Sequence, residues 1–194
     1  FVEYADDKYV NQLPQVAQGV DVGVNYRLNT DSFGDFTVDV NVARLDKLYQ
    51  SPTEGLALLL EARAAGQINA GTIITGGQDV VGQNGTPEWR GTGSLNWRYG
   101  NFAASWFTTY TGKFYSTGLT YAAGGFYKVP DTWVHNVSLS YTFEEGNRYI
   151  KDTRILIGAR NVFDKDPPLV PDGYQASVYN PYGRYLYFNI RKSF

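Results

Sequence analysis

Seven stretches of the chain alternate apolar and polar residues with a period of two. In the first, Val20, Val22, Val24, Tyr26 and Leu28 oppose Asp21, Gly23, Asn25 and Arg27. In the second, Phe36, Val38, Val40 and Val42 oppose Thr37, Asp39 and Asn41. Trp89, Leu95, Trp97 and Tyr99 then oppose Arg90, Thr92, Ser94, Asn96 and Arg98. Phe102, Ala104, Trp106 and Tyr110 oppose Ser105, Thr109 and Lys113, with Phe107 blurring the pattern. Val137, Leu139, Tyr141 and Phe143 oppose Asn136, Ser138, Ser140 and Thr142; Ile155, Ile157 and Ala159 oppose Arg154, Gly158 and Arg160. The last stretch carries Leu186, Phe188, Ile190 and the terminal Phe194 on one face, with Lys192 the exception, and Tyr185, Tyr187, Asn189, Arg191 and Ser193 on the other. Successive side chains of a strand point to opposite faces, so each stretch predicts a β-strand with one apolar and one wet side.

The connections alternate in length. Asn29 to Asp35 is short, Gly100-Asn101 reads as a two-residue hairpin turn of the Gly-first type, and Glu144 to Asp152 is compact. Between them come the long links Gln50 to Thr86, Ser116 to Asp131 and Asp164 to Tyr182. Such alternation predicts antiparallel strands with turns at one end and large loops at the other. Residues Phe1 to Gln18 are expected to hold the end of a preceding strand and its outer loop. The first long link begins Ser51-Pro-Thr-Glu54, a capping-box pattern with Pro at the first helical position. Leu56, Leu59, Leu60 and Arg63 follow at helical spacing and Gly66 is placed to stop the helix.

The polar face decides between a dry sandwich and a water-filled barrel. Asp39, Asn96, Arg98, Arg154, Arg160 and Arg191 would need partners in a dry core but can line a wet lumen. Each stretch, about 10 residues long, can cross a bilayer at a tilt. An aromatic terminal residue in register with the apolar face suits closure of an outer-membrane barrel. The expectation is therefore an all-β transmembrane antiparallel β-barrel segment, with residues 1–194 forming the carboxy-terminal part of one barrel domain and the carboxyl end periplasmic.

Composition is compatible with this reading. Sixteen Tyr and four Trp suit two water–lipid interfaces, although a sugar-binding sandwich could also be rich in aromatics. The longest apolar run, Leu56 to Leu60, is too short for a transmembrane helix. A mean hydropathy of −0.34 is no objection, because barrel strands hide their hydrophobicity in alternation. The net charge of −2 gives no electrostatic reason to expect nucleic acid. Cys is absent, which excludes disulfides and thiolate metal sites. Met is absent too, the chain opens on Phe1 in a strand-like run, and single-chain bacterial barrels close with an even number of strands. The chain is accordingly expected to be a piece of a longer polypeptide, with a processed mature protein as the rival.

Three stretches carry a resemblance to the carboxy-terminal part of TonB-dependent outer-membrane receptors. Gly158-Ala-Arg-Asn-Val-Phe-Asp-Lys-Asp-Pro167 resembles that family's penultimate strand, where an Arg-Asn-x-Phe-Asp run leads into the last outer loop. Gly183-Arg-Tyr-Leu-Tyr-Phe-Asn-Ile-Arg-Lys-Ser-Phe194 resembles its closing strand, in which Leu186, Phe188, Ile190 and Phe194 would close the barrel. Thr86-Pro-Glu-Trp-Arg-Gly-Thr-Gly-Ser-Leu-Asn-Trp97 is similar to a recurring Pro-led strand upstream. The resemblance implies about the last seven strands of a plugged barrel of about 22 strands. It implies a receptor that binds an extracellular small-molecule nutrient (ferric siderophore, cobalamin, haem or oligosaccharide) and imports it with TonB-supplied energy. Its partners would be outer-membrane lipid, the remaining strands and plug of the same receptor, and the TonB complex through the absent N-terminal part. A passive porin, a small stand-alone barrel and a surface adhesin or binding protein are the alternatives.

Polar-face residues near the outer strand ends are the ligand candidates: Arg90, Lys113, Tyr115, Arg160 and Tyr185. Cations and phenols suit an anionic, catechol-like or sugar ligand, through charge-assisted bonds and stacking; pairing with plug carboxylates is the duller role. The helical loop could contact ligand or only shield the barrel mouth. His135, the only histidine, shares parity with Val137 and Leu139 and should sit among interfacial aromatics beside Trp133. No serine is positioned for it, so no enzyme activity is expected. Asp164-Lys-Asp166 and Asp6-Asp7 lack the count and spacing of a calcium loop, and Gly76-Gly77 lacks the Lys-Ser/Thr of a phosphate loop. No metal or cofactor is expected.

Overall fold

The computed structural model describes residues 14–193 other than 73, 75 and 148. Among them are eleven strands and one helix. The strands are β1 (Gln15–Thr30), β2 (Gly34–Gln50), β3 (Trp89–Tyr99), β4 (Phe102–Thr111), β5 (Phe114–Thr120), β6 (Phe126–Val129), β7 (Thr132–Phe143), β8 (Thr153–Arg160), β9 (Leu169–Val170), β10 (Gly173–Tyr174) and β11 (Tyr185–Lys192). The helix α1 is Glu54–Ala64. With 56% strand and 6% helix the protein is all-β.

Seven strands form one antiparallel sheet in the order β1-β2-β3-β4-β7-β8-β11. They are the seven stretches of alternation. Once the small hairpins β5–β6 and β9–β10 are set aside, sheet neighbours are also chain neighbours, so the sheet is an up-and-down meander. Its connections 31–33, 100–101 and 144–152 leave from one end, and 51–88, 112–131 and 161–184 from the other. Gly100 has φ +52 while Asn101 stays out of the left-handed region, as a Gly-first hairpin turn requires. β1 and β11 are the sheet edges among the described residues.

Register keeps the two faces separate across the sheet. One row runs Val38↔Leu95↔Trp106↔Val137↔Ala159↔Leu186, and the next Phe36↔Trp97↔Ala104↔Leu139↔Ile157↔Phe188. A one-residue slip in any pair would invert that strand, so the matching of apolar with apolar fixes the register. The opposite face pairs Asp35↔Arg98, Thr37↔Asn96, Asp39↔Ser94 and Ser105↔Ser138. There Asn25 Nδ2 and Ser94 Oγ both donate to the Asp39 carboxylate, and Arg154 donates to Ser140 Oγ at 3.0 Å. Phe107 does fall on this polar face, opposite Ser94 and Asn136.

The apolar face is exposed, with aromatics toward both strand ends and Trp106 and Phe188 in the middle rows. Leu186, Phe188 and Ile190 of β11 expose 71%, 61% and 58% of their surface, while Phe194 lies outside the described residues. Near the short turns, Phe102 meets Tyr141 at 4.7 Å and Tyr141 meets Phe143 at 4.7 Å. Beside them Trp97 Nε1 donates to the Phe33 carbonyl at 2.7 Å. Toward the long loops, Tyr110 packs on Trp133 at 4.6 Å, and the His135 ring lies 5.4 Å from both Trp106 and Phe163. Aliphatic residues such as Leu95, Val137, Leu139 and Ile157 fill the middle.

The chain divides into two compact units, Phe1–Gln18 with Asp46–Val80, and Gly19–Leu45 with Val81–Phe194. In the first, Leu48 and Gln50 of β2 pair through backbone bonds with Val80 and Gln78. The helix begins later than the capping pattern predicts: Thr53, not Ser51, is the N-cap, and its side chain accepts from the Leu56 N–H at 3.3 Å. The Ser51 hydroxyl is engaged elsewhere, donating to the Pro14 carbonyl at 2.7 Å. Gly66 follows the C-cap with φ +75, as expected of a helix stop. Leu56 and Leu60 face Gly76 and Gly77, whereas Leu59 is exposed and Arg63 reaches the Thr72 carbonyl.

The second unit corrects the reading of the last two long links. They hold strands that the alternation does not predict, because β5–β6 and β9–β10 each make a hairpin. Gln15–Gln18 belong to β1 rather than to a preceding strand, and residues 1–13, with Asp6 and Asp7, lie outside the described residues.

Candidate ligand-binding groove

The site is built where β8 ends. Asn161 takes a left-handed conformation at φ +49, which Asn tolerates better than most residues. Its side chain then clasps the following turn: Nδ2 donates to the Lys165 carbonyl at 2.9 Å, and Oδ1 accepts from the Lys165 N–H at 2.8 Å. Its own N–H donates to Asn136 Oδ1 on β7 at 2.9 Å. Asp164, also left-handed at φ +55, accepts from the Arg184 N–H at 2.6 Å and so ties the two ends of the 161–184 segment together. Phe163, between them, turns to the apolar face against Trp106 and His135. The Arg-Asn-x-Phe-Asp run is thus a staple that closes a large loop over the strand end.

The staple aims the loop at the polar face. Phe114 and Val129, both 0% exposed, pack with Tyr179, 8% exposed, into a hydrophobic cluster, with Tyr127, Val170 and Val178 around them. Phe114 and Tyr179 stack at 6.3 Å. The link after β4 and the link after β8 therefore share one core. Burial pushes the Tyr179 phenol above its ordinary pKa; Thr132 and the Arg90 charge pull it part of the way back, and Asp131 adds to the rise. The hydroxyls of Thr132 and Tyr179 lie side by side, both buried and outside ordinary hydrogen-bond geometry.

Two cavities open on the polar face at the long-loop end. One, of about 900 Å³, is floored by β4, β7, β8 and β11 and roofed by the 161–184 segment. The other, of about 480 Å³, lies over β1 to β4 and includes Asp21, Asn41 and Arg90. Thr109, Thr111 and Val178 line both, so the two cavities lie side by side across the strands.

Arg160 and Tyr185 come together in the larger cavity, because they are direct partners across β8 and β11. Tyr187, a residue that the sequence reasoning did not single out, organises them. It lies flat over Gly158, where an added Cβ would collide with its Cζ. Tyr185 stacks on it at 6.4 Å and the Arg160 guanidinium stands 5.9 Å from its ring centroid. Arg90 lines the smaller cavity and donates to the Gly85 carbonyl at 3.2 Å. Lys113 lies between β4 and β5, and Tyr115 of β5 pairs through its backbone with Gly82 and Asn84; neither lines these cavities. Lys165, Arg184 and Tyr182 join the site only through the fold of the loop. No group of residues suited to hold a metal ion occurs among the described residues.

Comparison with protein-family models gives no match, and comparison with curated proteins gives none.

Proposed function

We propose that this chain is part of the wall of an outer-membrane active transporter, similar to TonB-dependent receptors, that binds an extracellular nutrient and imports it with TonB-supplied energy. The observation that carries the reading is the two-faced sheet: an exposed apolar side rich in aromatics, and a polar side with cavities at the long-loop end. Phe102 and Tyr110 of β4 are eight residues apart. That is about 26 Å along a strand and about 20 Å along the bilayer normal at a tilt of about 40°, close to the apolar band of outer-membrane barrels. The face would meet lipid, with the short turns periplasmic and the groove open to the outside. Further strands would pair with the edges β1 and β11 and complete the barrel around a plug, since two bare edges invite aggregation.

The test is nutrient uptake by Gram-negative cells carrying the full receptor, on limiting iron, cobalamin, haem and oligosaccharide sources. Uptake of one source should vanish on deletion and on collapse of the inner-membrane proton gradient. Uptake that survives uncoupling would make the protein a passive pore. Surface attachment lost without any uptake defect would make it an adhesin.

A further inference from the structure

Three cations line the larger cavity, Arg160, Lys165 and Arg184, against one carboxylate, Asp166. The neighbouring Asp164, whose Oδ1 accepts from the Arg184 backbone N–H, does not line the cavity, and even with its charge counted the cations stay in excess. Among the described residues none of the three cations has a carboxylate within ion-pair distance, the ion pair found being Arg44 with Glu88. A cavity of about 900 Å³ is of ligand size. Its walls also offer stacking surface: Tyr185 is 59% exposed and parallel, within 15°, to Tyr187. Arg160, held over the Tyr187 ring, has its planar fork oriented before any ligand arrives.

We infer that this cavity binds a ring compound carrying carboxylate, with the carboxylate on Arg160 and Lys165 and the ring on Tyr185. The guanidinium fork matches a carboxylate in two parallel hydrogen bonds, and a phenol face accepts either a sugar or an aryl ring. The inference rests on the transporter reading only in taking the polar face to be wet. Binding in detergent and transport in cells are separate readouts, so either can fail alone.

The experiment is calorimetric titration of the full protein in detergent with two probes, trigalacturonate and 2-naphthoate, each beside its methyl ester. Saturable binding of one acid with its ester weaker by on the order of tenfold or more is expected, and which acid binds separates an acidic sugar from an aryl acid. Arg160→Gln should weaken that acid by a similar factor and leave the ester unchanged. Lys165→Gln, on the exposed loop, should do so to a smaller degree, which separates charge loss from misfolding. Tyr185→Leu should weaken acid and ester alike. Binding of neither acid, or equal binding of acid and ester, overturns the proposal.

Discussion

Replacing Phe114 by Ala tests how the loops are held over the groove. Phe114 is fully buried, stacks on Tyr179 and packs beside Val129. Truncating a buried Phe costs about 3–5 kcal/mol, from lost transfer energy and the cavity left behind. Here the loss falls on a small cluster outside the main hydrogen-bonded ladder, so it should appear as local opening of the 161–184 segment. At about 1.4 kcal/mol per factor of ten, the lower bound alone predicts about a hundredfold less hydrogen-exchange protection. The reporters are the Val178 and Tyr179 N–H groups, which both donate to the Gln175 carbonyl at 3.0 Å. Exchange read by mass spectrometry in detergent should speed up there and stay unchanged in β3 and β4. Unchanged exchange at 175–179 would refute the shared core, and equal acceleration in β3 and β4 would show that the cluster supports the sheet instead.

Other substitutions probe the remaining supports. Gly158→Ala would force the Tyr187 ring off the strand, at about 1–2 kcal/mol of unfolding free energy read by chemical denaturation and with loss of the acid binding inferred above. Asn161→Ala removes the two Lys165 bonds and places Ala at φ +49, for about 3 kcal/mol of local stability read by proteolysis of the loop; Asn161→Gly relieves the backbone and should cost about 2 kcal/mol. Tyr179→Phe deletes a buried hydroxyl whose neighbour is the Thr132 hydroxyl, outside ordinary hydrogen-bond geometry, and should change thermal stability by no more than about 1 kcal/mol. Because burial raises the Tyr179 pKa, the neutral phenol supports the loop fully below about pH 10 and that support fades as pH climbs through the raised value; exchange at 175–179 should follow, with a flatter profile in Tyr179→Phe.

The seven strands of the main sheet and their facing were legible because a half-exposed strand writes its geometry into alternation, as Val137 to Phe143 does residue by residue. The pairing of Arg160 with Tyr185 also follows from that alternation once β8 and β11 are neighbours. Elements without alternation were not legible. β5 and β6 shift register between Ser116 and Thr120, which erases any period-two signal. The helix start was misplaced because Ser51 and Thr53 are both competent caps, and only the distant Pro14 carbonyl decides between them. Asn161 and Asp164 gave a weak signal, since Asn and Asp three residues apart at a strand end are suited to left-handed turns. Tyr179 gave none: its burial comes from Phe114 and Val129, far away in the chain.

All four tryptophans, Trp89, Trp97, Trp106 and Trp133, fall on the apolar face. That makes the membrane claim testable without any label. Reconstituted protein should emit at short wavelength and be quenched by brominated lipids, and single-tryptophan variants should place Trp106, midway along β4, deepest. Trp97, hydrogen-bonded to the turn carbonyl of Phe33, should lie shallower, near the headgroups. Emission that responds to aqueous quenchers but not to brominated acyl chains would contradict the account, because the apolar face would then not be meeting lipid.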